Sequence, residues 1–156
     1  MLNDAGVKAE FYNCVDEDGK VALITKLDPK PIHQSYPNRM HGGVIGAILD
    51  ESIGRTIQIE HEVWGVTIDL SVKYRKPVPL DTVLYVESRI TEIANRYFCG
   101  VGTMFYMQDG ARVVCATGEA KYFNRTYDQV FTTQKLTPEN WFIVKDKEDN
   151  NGEFHL

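Results

Sequence analysis

The chain has 156 residues, 43% of them hydrophobic and 25% charged, with a formal net charge of −5; that length favours one domain able to bury roughly 70% of the unfolded surface. The acidic balance excludes the basic stripe of a nucleic-acid binder, since the only compact basic cluster is Lys73, Arg75 and Lys76. No run of 18 apolar residues exists to span a membrane and the first residues, MLNDAGVKAEFYN, hold no apolar signal core, so a cytoplasmic location is expected.

Residues 1–20 read as an irregular lead-in that ends in a turn at Asp18-Gly19. Val21 to Leu27 is a short strand. Residues 28–40, with three prolines and no period, read as a loop. Gly43 to about Ile59 is the one long helix with a clear pattern. Beyond Gly65 the chain alternates: Val66, Ile68, Leu70 and Val72 fall on one face of a strand, and Thr67, Asp69, Ser71 and Lys73 on the other. Three further strands follow over 82–93, 96–107 and 111–123, separated by Asn95 and by a Gln108-Asp109-Gly110 turn. Gly100 and Gly102 inside a strand signal a bend or a close backbone approach. The order predicts an α+β layer in which an antiparallel sheet covers one helix. Residues 125–156 read as a polar tail, where Pro138, Trp141 and Phe142 dock a short segment and KDKEDNNGE is solvated. Cys14, Cys99 and Cys115 are odd in number and widely spaced, so they read as reduced thiols, and no metal site is expected.

The most informative stretch is residues 41–50, HGGVIGAILD. A His-Gly-Gly turn opens the helix, and its bare N–H groups lie at the positive end of the dipole, where developing negative charge is stabilised. Asp50 lies about two turns inside. At 100° per residue, Val44, Ile45, Ile48, Leu49 and Ser52 form one broad side and Asp50 lies opposite. Gly46 and Gly54 sit four residues before and after Asp50, with Gly43 and Ala47 flanking the row, so the acid lies on a stripe of small residues. A glycine inside a helix costs about 1 kcal/mol relative to alanine, which implies that a ligand or another backbone approaches there. Asp50 reads as a functional acid, against the alternative of an exposed acid on the wet face. Glu51 reads as structural, paired with Arg55 at i,i+4. His41 can serve as a general base, but reads more simply as a residue that fixes the helix entrance or positions substrate. His33 and His61 read as surface or satisfied core histidines. No serine or cysteine lies in a nucleophile elbow.

His41-Gly42-Gly43, the helix through Leu49-Asp50-Glu51, and the strand TIDLSVKY running into RKPVPL resemble the hotdog-fold acyl-CoA thioesterases, specifically the phenylacetic-acid-pathway-like (PaaI-type) branch, over roughly residues 21–124. That resemblance implies a long central helix wrapped by a curved antiparallel sheet. It also implies subunits joined edge to edge as a homodimer or homotetramer, with active sites at the dimer interface. By the same resemblance Asp50 is the general base or nucleophile acting on an acyl-CoA thioester. The Gly43 N–H polarises the carbonyl, and Thr67, supplied by the partner subunit, assists the attacking water. Two loop positions depart from the pattern: Ser35 stands where some members carry asparagine, and Asn38 where many carry glycine. Asparagine tolerates the left-handed backbone that glycine would adopt. Gly42, Ser35 and Asn38 complete the substrate side of the site, and Lys73, Arg75, Lys76 or Arg125 can meet the phosphates of CoA. Coenzyme A is part of the substrate, and no separate cofactor is expected. Two alternatives stand beside hydrolysis: a hotdog hydratase or dehydratase acting on acyl thioesters, and a non-catalytic acyl-CoA-binding dimer.

Overall fold

A computed structural model describes residues 6–15, 20–61, 63–126 and 129. Six strands form one antiparallel sheet: β1 (Ala9–Val15), β2 (Val21–Leu27), β5 (Trp64–Tyr74), β6 (Leu84–Ile93), β7 (Tyr97–Gln108) and β8 (Ala111–Arg125), in the order β1-β2-β6-β7-β8-β5. One long helix, α1 (Gly42–His61), packs against it, which is the hotdog arrangement. Between β2 and α1 the chain makes a 3-10 turn (Pro31–His33) and a small hairpin of β3 (Gln34–Tyr36) and β4 (Arg39–Met40). The loop expected over residues 28–40 therefore has structure of its own. The lead-in expected to be irregular contains β1, paired along its whole length with β2. The turn expected at Asp18-Gly19 and the segment around Pro138, Trp141 and Phe142 lie outside the described residues. No helix among the described residues is long and apolar enough to cross a membrane.

The helix buries Ile45, Ile48, Leu49, Ile53 and Ile57 against the sheet, as the 3.6-residue period requires. Ser52 and Thr56 share that buried side. Their hydroxyls bond backwards to the carbonyls of Ile48 (2.7 Å) and Ser52 (3.0 Å), and Thr56 meets Ser88 of β6 at 3.0 Å. Each buried hydroxyl of this seam thus has a partner, which removes most of the burial cost.

The helix reaches the sheet because glycines stand beneath it. A Cβ on Gly100 would lie 2.5 Å from Ile53 Cγ2, and one on Gly102 would lie 3.0 Å from Ile53 Cγ1. The strand glycines mark a close approach, and what approaches is the helix.

Strand β5 departs from the alternation. Its pairing with β8 shifts register between Thr67 and Asp69, which leaves Ile68 as a bulge. A bulge inverts which side successive residues face. Leu70 and Val72 pack against the core, but Val66 and Ile68, expected on the same face, remain 48% and 45% exposed. Thr67, expected to point away, turns toward α1. Because β5 is an outer strand of the sheet, one of its two hydrogen-bonding edges has no neighbour among the described residues.

Candidate active site

Asp50 is half-buried on α1 and lies at the wall of a cleft between α1 and β5 of about 110 Å³, lined also by Gly54, Gln58, Trp64, Thr67 and Tyr122. Thr67 Oγ1 donates toward both carboxylate oxygens, at 3.0 Å from Oδ1 and 3.2 Å from Oδ2. This contact forms within one chain, so the partner subunit is not needed to bring Thr67 to Asp50. The bulge at Ile68 makes it possible.

Tyr122 of β8 is the residue that sequence reasoning missed. Its hydroxyl donates to Asp50 at two points, the backbone carbonyl oxygen (2.8 Å) and Oδ1 (3.0 Å). The side chain is 1% exposed and stacks on Phe98 with ring centroids 4.7 Å apart and planes 12° off parallel. Burial, then the charge and hydrogen bond of Asp50, hold the phenol far above its ordinary range, so it keeps its proton and acts as a donor. Gly54 makes room: a Cβ there would lie 3.2 Å from Tyr122 Cε1. The close approach expected along the small-residue stripe is therefore, at Gly54, the approach of Tyr122. At Gly46 a Cβ would meet nothing within 4 Å.

Glu51 and Arg55 form the expected i,i+4 pair, at 3.9 Å. The Arg55 guanidinium also lies 4.2 Å from the centroid of the Phe11 ring on β1, so the strand absent from the sequence reading contributes to the wall next to the cleft.

At the helix entrance, His41 caps α1. Its backbone oxygen accepts from Val44 N (3.0 Å) and Ile45 N (3.1 Å), and its ring Nδ1 accepts the Gly43 N–H at 3.0 Å. Nδ1 therefore carries a lone pair, and the ring proton is on Nε2. His41 thus contacts the helix entrance through both its backbone oxygen and its ring, and the Gly43 N–H is engaged by that ring. Gly42 N–H makes no hydrogen bond among the described residues, while Gly42 O accepts from Tyr74 Oη at 2.9 Å.

Asn38 adopts the left-handed backbone, φ 52°, as its place in the loop requires. Its side chain is committed to structure: Nδ2 donates to Asp81 (2.9 Å) and Oδ1 accepts from Leu80 N (3.1 Å). Ser35 is exposed on β3. Among the cations, Lys73 reaches Glu119 at 3.4 Å and Arg125 lies over Phe123. Arg75 and Lys76 are exposed where β5 ends, their backbone N–H groups both bonded to Cys115 O. These residues are not gathered in the cleft at Asp50. No cluster of three or more His, Cys, Asp or Glu side chains able to hold a metal occurs among the described residues.

Comparison with known proteins bears on the family and the fold. Over 89 residues the chain is 38% identical to the acyl-coenzyme A thioesterase THEM4 of Mus musculus, covering 56% of this chain and 36% of that one. The chain thus spans about a third of the length of this curated relative. Among solved structures, smu.793 from Streptococcus mutans UA159 bound to acetyl CoA superposes with a TM-score of 0.64 at 20% identity, covering 80% of this chain and 96% of that one. Zebrafish thioesterase superfamily member 2 superposes with a TM-score of 0.64 at 14% identity, over 74% and 80%. A family model matches residues 38–123, more than half of the chain and all of the stretch from Asn38 through Asp50 to Tyr122, and the chain belongs to the thioesterase superfamily.

Proposed function

We propose that the chain hydrolyses an acyl-CoA thioester to the free acid and CoA, with Asp50 as the reacting carboxylate. The observation that carries this reading is the half-buried Asp50, fixed by two hydroxyl donors at the wall of an open cleft. The family, the activity in the name of the mouse relative and the acetyl CoA bound to the Streptococcus mutans neighbour agree with it.

Asp50 takes a proton from water as it adds to the carbonyl carbon, or adds to that carbon itself. Negative charge then collects on the carbonyl oxygen and is met by an amide at the helix entrance. Collapse of the tetrahedral species breaks the C–S bond. On the water route the proton taken up by Asp50 passes to the departing sulfur. On the direct route water then hydrolyses the acyl-Asp50 anhydride, restoring the carboxylate and supplying the proton with which CoA leaves as the thiol. Of the two glycine amides, that of Gly43 is held by His41 Nδ1 and that of Gly42 is free among the described residues, so Gly42 is the donor we favour.

Two protomers build this site. N–H groups at a helix start point along the axis away from its body, and Asp50 lies roughly 12 Å further in, eight residues at 1.5 Å each. One thioester carbonyl does not meet both within a single chain. The unpaired edge of β5, with Val66 and Ile68 exposed, offers the surface on which a second copy brings its own helix entrance to Asp50. Arg75 and Lys76, exposed at the end of β5, suit the phosphates of CoA.

The test is thiol release from acyl-CoAs of graded chain length, with wild type and Asp50→Ala compared, alongside the mass in solution. Turnover by wild type, lost at least about 100-fold in the variant, together with a mass of at least a dimer, is the expected result. Release that ignores Asp50 overturns the site, and acyl-CoA binding without release favours the non-catalytic dimer.

A further inference from the structure

We propose that Tyr122 is a positioning residue for Asp50, turning the carboxylate so that Oδ2 is the oxygen presented to the reacting thioester or its water. The proposal rests on the reading of Asp50 as the reacting group.

The geometry divides the two carboxylate oxygens unequally. Oδ1 accepts from Tyr122 Oη at 3.0 Å and from Thr67 Oγ1 at 3.0 Å, whereas Oδ2 has only the longer approach of Thr67, 3.2 Å. A carboxylate oxygen has two lone pairs. Oδ1 is met by both hydroxyls, and Oδ2 keeps at least one lone pair that faces no donor among the described residues. The Tyr122 proton is shared with the backbone oxygen of the same aspartate at 2.8 Å. One hydroxyl therefore grips both ends of the Asp50 side chain, its root and its head, which fixes the rotamer against its own backbone.

The clamp is itself held. Phe98 lies parallel against the Tyr122 ring. A Cβ on Gly54 would crowd Tyr122 Cε1 at 3.2 Å, and a Cβ on Gly65 would lie 2.7 Å from Phe98 Cζ and 3.1 Å from Tyr122 Cβ. Two glycines, one on α1 and one on β5, thus leave the space that the stacked pair fills. A group built this way is pre-organised, and misplacing a reacting atom by about 1 Å can cost about 100-fold in rate.

Tyr122→Phe tests the idea, because it keeps the ring and removes only the hydroxyl. The expected result is a fall in kcat of about 10- to 100-fold with KM for the acyl-CoA within about threefold, in a protein that still unfolds in one cooperative transition. Because Thr67 holds the same oxygen, Thr67→Val combined with Tyr122→Phe is expected to lose less than the product of the two single losses. A merely structural tyrosine would lower melting temperature with little change in kcat of the folded enzyme and leave the two losses multiplicative. If Asp50→Ala abolishes turnover while Tyr122→Phe stays within about twofold of wild type, the positioning role falls and the proposed hydrolysis stands. If Asp50→Ala leaves turnover intact, both fall together.

Discussion

Thr67 Oγ1 lies 3.0 Å from Asp50 Oδ1 because β5 bulges one residue later, at Ile68. Without the bulge the strand would keep strict alternation, and Thr67 would sit opposite to Leu70 and Val72, which face the core. A reacting group misplaced by about 1 Å can lose about 100-fold in rate, so Thr67→Val, which frees the carboxylate from one of its two hydroxyls, is expected to lower kcat by about 10- to 100-fold while the fold survives. Deleting Ile68 should by contrast keep Thr67 on the helix side with little loss, because Thr67 and Leu70 would then stand two residues apart in a regular strand, opposite Tyr122 and Ala120. Steady-state kinetics on both variants checks this, and a Thr67→Val enzyme within twofold of wild type would remove Thr67 from the site.

That relationship marks the boundary of what the sequence reveals. Periodicity located α1 and the long strands within a few residues, because each element buries a continuous apolar face. It is silent on a bulge, since one extra residue leaves the local composition unchanged. It also missed β1, an outer strand whose segment AEFYNCV buries little of either face. Asp50 was legible because an acid flanked by glycines on an apolar helix is unusual. Tyr122 was not, because a tyrosine in an alternating strand reads as ordinary core and lies 72 residues from its partner. The His41 ring folding back onto Gly43 is likewise a rotamer choice that no spacing encodes.

The two glycine amides at the helix entrance can be separated experimentally. Gly42 is the first residue of α1, a position where proline fits the helix and removes only an N–H that has no intrahelical partner. Gly42→Pro is expected to reduce kcat about 100-fold or more, the usual loss of one oxyanion donor. A Cβ at Gly42 would meet Tyr74 Oη at 3.3 Å, so Gly42→Ala is the steric control and should lose far less. Equal losses in the two variants would assign the effect to crowding, and full activity in Gly42→Pro would return the role to Gly43.

Gly100 predicts a stability effect remote from the chemistry. A methyl there would lie 2.5 Å from Ile53 Cγ2, a side chain 0% exposed, and 3.1 Å from the Arg89 carbonyl oxygen. Neither neighbour has space to retreat. Gly100→Ala is expected to destabilise by roughly 1–3 kcal/mol through overpacking, seen as a drop in Tm of about 2–4 °C per kcal/mol. Thermal melting decides it, and an unchanged Tm would mean that the helix does not press on the sheet at this point.

His33 makes stability depend on pH. It is 4% exposed; its Nδ1 accepts from Lys30 N at 3.1 Å, and its Nε2 has no hydrogen-bond partner among the described residues. Burial, then the charge of Lys30, lowers its pKa below the ordinary value of 6.5. The unfolded chain therefore takes up a proton near pH 6.5 that the folded chain still resists. Unfolding then binds more protons, so stability present above pH 6.5 is lost as the pH falls below it, at no more than about 1.4 kcal/mol per pH unit. The consequence reaches the site, because His33 O accepts the His41 N–H at 2.8 Å, one residue before the helix begins. Denaturation at pH 7.5, 6.5 and 5.5 of wild type and His33→Asn measures the difference, with carboxylate contributions common to both proteins. Wild type is expected to lose more stability on acidification than the variant, and parallel losses would mean that His33 is not held neutral by its surroundings.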